Sequence, residues 1–432
     1  MSVDTMAAPD TLSRSLQSSS IGLSRLRGEY GPLLELVRLV IGVVPNCDSL
    51  LAIWPLGFRS YNLLVPNLLN LPFSVWGWGP PVVPLGLALY TASWTARCSY
   101  CTAHTCSFAL RRGAPPETLA GKRSPAESAA VAAAEALASI PCAFTRQHRD
   151  ELRRHFSARD AEGIALGVAM MGFLNKFMDA VGVDLEEAAV EEASPVLLPT
   201  GWTTGKHRVA SESDPALQPR PGGRDTLATK LAFLRYVPAA LKLEGSWTRG
   251  VPSRWPAVGT YLEERTGHDF PLLAKVGSKR AVKAITTVLR DNLSAADSRL
   301  GLPVKILAGL VYATVIGNET LAGEARKLAL RTSPPVAEET LQAVARFAAE
   351  PSPSDGGIAT ERASLASLPG LDDKAALALL LAKAISPSPA TVPPALLAEV
   401  AESLSPEAQI ELVVWVSIQQ MLHRLGCFVA AC

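Results

Sequence analysis

The stretch from Leu85 to Gly113 reads LGLALYTASWTARCSYCTAHTCSFALRRG and decides how the rest of the chain is interpreted. It opens with uncharged, mostly apolar residues and then carries a C-x-x-C pair, Cys98 and Cys101, followed by His104. Two cysteines three residues apart on a helix are close enough to form a disulfide, and one thiol of such a pair often has a lowered pKa. The stretch therefore predicts a helix that carries reactive sulfur.

Local signals place the pair near the start of this helix. Thr95 is a suitable N-cap residue, and Gly113 with the following prolines is a typical stop signal. The predicted helix runs from about Ala96 to Arg112. At about 100° per residue, His104 lies beside Cys101 and away from Cys98. Cys101 is therefore the thiol that we expect to have an imidazole neighbour.

Three interpretations of this motif remain open from the residues alone. The first is a redox dithiol, Cys98 and Cys101, with His104 as its base. The second is a zinc site that adds Cys106 to these three residues, although four-ligand sites normally use two separated pairs of ligands. The third is a set of buried structural cysteines, because cysteine is often a small buried hydrophobe.

The remaining sequence predicts an all-α fold. Apolar residues recur at three- and four-residue spacing in the segments 33–41 and 164–177, which is the period of an amphipathic helix. Alanine and leucine, both strong helix formers, are frequent, and alternating runs typical of strands are scarce. Hydrophobic residues make up 48% of the chain, which is enough for a large buried core.

Charge and hydropathy limit the partners. Among 432 residues, 41 Lys and Arg stand against 40 Asp and Glu, so we expect no nucleic-acid partner. The uncharged segment from Ser60 to Ala96 is interrupted by five prolines, and we expect no membrane span because spanning needs about 20 apolar residues in succession. No secretory pattern follows Met1, which predicts a cytoplasmic protein.

A proline-rich segment divides the chain. We predict an N-terminal tail at residues 1–29, a helical domain at 30–190, a linker at 191–225 and a second helical domain at 226–432. Short similar segments recur in the same order in both halves of the sequence and predict an internal duplication. Examples are Trp54-Pro55 with Trp255-Pro256, Ala109-Leu110-Arg111 with Ala329-Leu330-Arg331, and Ser157 with Ser405.

The C-x-x-C segment, its nearby His104 and the Ala-Leu-Arg-Arg-Gly ending at Gly113 resemble the alkyl hydroperoxidase D (AhpD)-like group of the carboxymuconolactone decarboxylase superfamily. The resemblance implies an all-helical, AhpD-like fold and a homo-oligomer. It also implies that Cys101 attacks a peroxide, that Cys98 closes a disulfide, and that His104 takes part in proton transfer. A thiol reductant, for which a protein partner is a candidate, would restore the pair, and neither a metal nor another cofactor is implied.

Two positions differ from the family pattern and keep other functions open. The family histidine commonly stands where Thr105 is, and a family glutamate often stands where Gly86 is. A carboxylate from elsewhere in the chain would have to replace it, and Glu162 is one candidate. The alternatives are a non-enzymatic helical binding or scaffold protein on a decayed AhpD-like fold, and an enzyme that acts on a small hydrophobic ligand.

The second half is predicted to be a degenerate, cysteine-free pseudo-repeat, in the sense that no cysteine lies between Cys142 and Cys427. If the halves correspond, the positions of the two cysteines fall near Asn318 and Leu321, and that of His104 near Glu324. Such a half carries no dithiol and is expected to cover the first domain in place of a partner subunit. The remaining cysteines are predicted to be isolated thiols: Cys47, Cys106, Cys142, Cys427 and Cys432.

Overall fold

The computed structural model describes residues 10–210, 219–220, 222–352 and 355–432. Over these residues the predicted all-α class is confirmed. The first half contains α1 (Leu12–Ser15), α2 (Leu23–Ile41), α3 (Cys47–Leu51), α4 (Pro55–Leu68), α5 (Val82–Thr95), α6 (Ser99–Arg111), α7 (Pro116–Leu119), α8 (Pro125–Ala138), α9 (Arg146–His155), α10 (Ala158–Val181) and α11 (Glu187–Leu197).

The second half is also helical. It contains α12 (Leu227–Trp247), α13 (Ala257–Thr266), α14 (Lys279–Asn292), α15 (Leu302–Val315), α16 (Glu319–Ala329), α17 (Glu338–Ala349), α18 (Ile358–Ala366), α19 (Asp373–Ile385), α20 (Pro394–Ser403) and α21 (Pro406–Ala430). A short parallel ladder, β1 (Leu185–Glu186) and β2 (Val209–Ala210), pairs Glu186 with Ala210.

The two longest helices, α10 and α21, pack along each other and form the centre of the protein. Both are apolar on nearly all sides, as expected for helices surrounded by other helices. Gly172 permits the close approach, since a Cβ atom there would lie 3.0 Å from the backbone oxygen of Gln420. By length and hydropathy both helices could cross a membrane, and 94% and 89% of their most apolar windows are buried inside the protein.

Helices of similar length recur in the same order in both halves. The pair α5 and α6 is matched by α15 and α16, and the series α8, α9, α10 is matched by α19, α20, α21 at one constant sequence interval. The N-caps match as well: Ser157 caps α10 and Ser405 caps α21. The Trp-Pro echo does not follow this order, because Pro55 begins the 14-residue α4 whereas Pro256 precedes the 10-residue α13. The remaining matches support the predicted duplication.

The predicted bounds of the cysteine helix are wrong at its start. Thr95 ends α5, and α6 begins only at Ser99 with Cys98 as its N-cap. Arg97, between the two helices, has a positive φ of 54°, which turns the chain sharply. Cys98 therefore lies at the cap and not inside the first turn.

Two segments predicted to connect or precede domains are partly structured. The segment 191–225 includes most of α11, which packs on α6, and it includes β2. Residues 211–218 and 221 of that segment, like residues 1–9 of the predicted tail, lie outside the described residues. In the rest of the tail, α1 packs on α10, and Leu12 is buried there.

Candidate functional site

The C-x-x-C pair lies at the N-terminus of α6. The Sγ atom of Cys98 accepts a hydrogen bond of 3.4 Å from the backbone N–H of Cys101, and both side chains are buried. The first amide groups of a helix lack partners within the helix and favour a nearby negative charge. This position stabilises a thiolate on Cys98.

The two thiols have different acidities. Burial opposes ionisation of Cys98, but hydrogen bonds with the Cys101 thiol and with the imidazole of His207 lower the pKa of Cys98 to about 6. Burial and the adjacent Cys98 sulfur raise the pKa of Cys101 well above 9.0. The pair therefore holds one negative charge, on Cys98, while Cys101 keeps its proton.

His207 is a site residue that sequence reasoning missed. Its Nδ1 atom lies 2.7 Å from the backbone oxygen of Val183, which leaves Nε2 for the Cys98 sulfur. Burial opposes its charged form, but the Cys98 thiolate raises the pKa of His207. The neighbouring Lys206 is also fixed, since its Nζ atom lies 3.0 Å from Asp179. No sequence signal marked this histidine, which lies in the predicted linker.

A buried carboxylate, Glu186, converges on the other side of α6. Its Oε1 atom accepts hydrogen bonds from the backbone N–H of Asn46 at 2.5 Å and from the Tyr100 hydroxyl at 2.8 Å. Its Oε2 atom lies 2.7 Å from Nε2 of His104. Because the carboxylate accepts, we assign Nε2 of His104 as the N–H donor. The other ring nitrogen, Nδ1, is buried and has no hydrogen-bond partner among the described residues.

The structure explains why the family glutamate does not stand at position 86. Gly86 lies where α5 crosses α6, and a Cβ atom there would be 3.1 Å from both Cα and Cβ of Ala109. A glutamate side chain does not fit this contact. The candidate replacement Glu162 is wrong, because its Oε1 atom accepts from the backbone N–H groups of Gly277 and Ser278. The carboxylate that does meet His104 is Glu186, which lies on β1.

A second buried acid, Asp48, lies near Glu186. Burial and then the charge of Glu186 raise the pKa of Asp48 from 3.8 to about 8. Its two carboxyl oxygens are buried without a hydrogen-bond partner in the described part of the chain. Asp48 is therefore protonated at neutral pH and adds no second negative charge beside the thiols.

A mostly apolar cavity of about 150 Å³ reaches the motif. Cys101 and His104 belong to the part of its wall that α6 forms, together with Tyr100, Thr105 and Phe108, whereas Cys98 lies outside the lining. The predicted apolar stretch contributes from Tyr61 to Pro72, and α12 closes one side with Phe233. Small organic molecules therefore meet Cys101 first.

The ligand set proposed for zinc is not assembled. Within the described ranges, no group of three or more His, Cys, Asp and Glu side chains is positioned to hold a metal ion. All seven cysteines lie in the described part of the chain and are free thiols. The structure brings together Cys98, Cys101 and His104 on one helix, and Cys106 lies further along it, where burial raises its pKa to about 12.

Comparison with known proteins leaves the chain without a family assignment. No protein-family model matches it, and no curated protein matches it. The crystal structure of the debrominase Bmp8 in its apo form aligns with 45% of this chain and with 100% of its own. The sequence identity is 21% and the TM-score is 0.36, and a likeness at that level carries no argument about fold or activity.

Proposed function

We propose that the protein is an AhpD-like thiol oxidoreductase that uses Cys101 and Cys98 to reduce a small hydroperoxide. The observation that carries the proposal is the convergence of one cavity, a C-x-x-C pair and a buried His104–Glu186 pair at the N-terminal end of α6. The cavity volume of about 150 Å³ suits a small, apolar substrate, since drug-sized ligands occupy about 300–1,000 Å³.

The lining of the cavity favours Cys101 as the sulfur that meets peroxide. Cys101 starts protonated, and His104 stands three residues further along the same helix, so their side chains are neighbours. The free Nδ1 atom of His104 takes the thiol proton, and the Glu186 carboxylate stabilises the imidazolium that results. The thiolate attacks the terminal peroxide oxygen, the O–O bond breaks, and the proton passes from His104 to the alcohol that leaves.

Cys98 completes the reaction. Its low pKa keeps it as a thiolate beneath the cavity, hydrogen-bonded to the Cys101 thiol. It attacks the sulfenic acid formed on Cys101, a disulfide forms, and hydroxide leaves and takes up a proton to become water. One hydroperoxide is reduced to an alcohol and water while two thiols are oxidised to a disulfide. A thiol reductant then restores the pair, which makes the cycle catalytic.

The second half supports this site as a repeat without the dithiol. Asn318 caps α16 and accepts from the backbone N–H of Leu321, as Cys98 does from that of Cys101. The packing of α21 along α10 covers the first half with the helix that matches α10 in position. A duplicated AhpD-like fold in which the second half stands in for a partner subunit accounts for both features.

Two observations weigh against a purely structural role. The first is the cavity at Cys101, which a scaffold does not need. The second is the buried Nδ1 atom of His104, because a buried polar atom without a hydrogen-bond partner lowers the free energy of unfolding. An enzyme for another small hydrophobic ligand would use the same cavity, and it would not require a low pKa at Cys98. Peroxide reduction uses every one of these features.

Thiol counting tests the proposal. Wild-type protein and the variants Cys101→Ser and Cys98→Ser are treated with a small hydroperoxide, denatured and assayed for free thiols. We expect wild type to lose both thiols of the pair, Cys98→Ser to stop at an oxidised Cys101, and Cys101→Ser to lose neither at a comparable rate. Consumption of peroxide in the presence of dithiothreitol should follow the same order.

Cys47→Ser is the matched control, because Cys47 is a buried free thiol that does not line the cavity. It should retain wild-type kinetics. Wild-type protein that keeps all its thiols under peroxide would overturn the proposal. So would equal thiol loss in wild type and Cys101→Ser.

A further inference from the structure

A second pair of cysteines meets where the two halves touch. Cys142 follows α8 in the first half and Cys427 lies near the end of α21; both side chains line one cavity, and each thiol shifts the pKa of the other. Neighbouring contacts fix this approach: the rings of Phe144 and Phe428 have centroids 5.8 Å apart, and Arg149 donates to the backbone oxygen of Ala431 at 2.7 Å. Sequence spacing predicted isolated thiols here, and the tertiary structure brings them together.

Both thiols open onto a cavity of about 590 Å³ in the second half. This cavity corresponds to the first one, because Leu321 and Glu324 line it at the positions on α16 that Cys101 and His104 occupy on α6. It is roughly four times larger by volume, so it admits a bulkier molecule than the first cavity does. The second half therefore has a corresponding cavity with a different pair of sulfurs beside it, one from each half.

One polar group of this cavity, His423, lies beside the sulfur of Cys427. The Nδ1 atom of His423 lies 2.6 Å from Nδ2 of Asn318 and 4.0 Å from Sγ of Cys427. Burial and the charge of Arg424 lower the pKa of His423 to about 4, so the ring is neutral and its Nδ1 atom accepts. Its Nε2 atom is buried without a partner among the described residues, which leaves an N–H donor for a bound oxygen.

The two thiols again differ in acidity. The hydrogen bond from Cys427 lowers the pKa of Cys142 to about 7, although burial opposes this, and Arg424 adds a favourable positive charge. The same hydrogen bond and burial raise the pKa of Cys427. Cys142 is therefore the more acidic thiol of the pair.

From this placement we infer that Cys142 and Cys427 form a second redox dithiol, oxidised by a hydroperoxide with a hydrocarbon body that the larger cavity holds. The Cys142 thiolate attacks the terminal oxygen, the O–O bond breaks, and the alcohol leaves with the proton of Cys427. The Cys427 thiolate attacks the sulfenic acid on Cys142, and hydroxide leaves and is protonated to water. The disulfide ties the loop after α8 to α21 and so joins the two halves covalently.

The test uses the full chain with Cys98→Ser and Cys101→Ser, so that the first pair cannot contribute. Cumene hydroperoxide is the probe; remaining thiols are then alkylated, and the chain is digested without reduction for mass spectrometry. We expect a peptide pair linked through Cys142 and Cys427 and the loss of two thiols per chain. Removing either partner, as Cys142→Ser or as Cys427→Ala, should abolish the linked pair.

Cys432→Ser is the matched control, since Cys432 is an exposed thiol near the end of α21 and does not line the cavity. It should leave the linked pair unchanged. The inference fails if both thiols are still alkylated after peroxide treatment, or if the linked peptides join Cys142 to Cys432. This outcome is independent of the first site, whose failure would be seen in a chain that keeps Cys98 and Cys101 and carries Cys142→Ser with Cys427→Ala.

Discussion

The Nε2 atom of His104 lies 2.7 Å from the Oε2 atom of Glu186, although 82 residues separate them in the chain. Glu186 is fully buried and is held by two further hydrogen bonds, from the Asn46 backbone and the Tyr100 hydroxyl. A carboxylate so placed orients the ring of His104 and stabilises its protonated form. The carboxylate that partners His104 therefore comes from β1 and not from the cysteine helix.

Replacing this carboxylate should slow the chemistry. In Glu186→Gln an amide group meets three donors, so one hydrogen bond is lost and the imidazolium of His104 is no longer stabilised. We expect peroxide consumption to fall by about 10²-fold, a usual size for general acid–base catalysis. The control is Glu162→Gln, because the native Glu162 carboxylate accepts from the backbone of Gly277 and Ser278 and lies away from His104. This variant should keep wild-type kinetics. An equal loss of peroxide consumption in both variants would contradict the proposed role of Glu186.

The thiolate of Cys98 should depend on His207. The folded pKa of Cys98 is about 6, below the ordinary 9.0, so the thiolate is present above that pH and is lost as pH falls through 6. In His207→Gln this midpoint should move upward, because the imidazole no longer favours the charged sulfur. Ultraviolet titration of thiolate absorbance measures the midpoint. His268→Gln, in the second half, is the control, and a midpoint unchanged in His207→Gln would refute this role.

Asp48 should make stability fall with rising pH. The pKa of Asp48 is about 8 in the folded protein and 3.8 in the unfolded chain. The contribution of this group to folding stability is therefore fully present below pH 3.8 and is lost as the pH rises through 8. The linked loss amounts to roughly 1.4 kcal/mol for each pH unit inside that window. Asp48→Asn should therefore flatten the pH dependence of the urea midpoint, whereas the exposed control Asp150→Asn should not.

Gly86→Glu should destabilise the fold and should not restore activity to Glu186→Gln. A Cβ atom at position 86 meets Ala109 at 3.1 Å, so α5 and α6 would have to separate. Thermal unfolding of Gly245→Glu supplies the control, since a Cβ atom there meets nothing within 4 Å and glutamate favours helix over glycine. Recovery of peroxide consumption in the double variant would show that the family position is still usable.

Phe233→Ala should enlarge the first cavity. Phe233 is 1% exposed and closes one side of the cavity from α12, and truncating a buried phenylalanine typically costs about 3–5 kcal/mol. We expect a lower melting temperature together with faster turnover of cumene hydroperoxide relative to hydrogen peroxide. Phe347→Ala, a buried phenylalanine of the second half, should lose stability without changing that ratio. An unchanged ratio in Phe233→Ala would place the substrate elsewhere.

Local patterns predicted the helical class, the cysteine helix and the correspondence of Asn318 with Cys98. These features depend on residue type and on the 3.6-residue period, which neighbouring residues specify. The start of α6 was misplaced by three residues because Thr95 is an equally good cap by type. The turn at Arg97, with its positive φ, carries no sequence signal of this kind.

The sequence by itself determined an all-α chain with a C-x-x-C pair, Cys98 and Cys101, and a histidine beside it. Only the tertiary structure decided that Glu186 meets His104, that His207 lies beside Cys98, and that Cys142 lies near Cys427 across the two halves. The physical reason is that side-chain periodicity fixes which residues share one helix face. Contacts between distant segments depend on how helices pack, and many sequences satisfy the same packing.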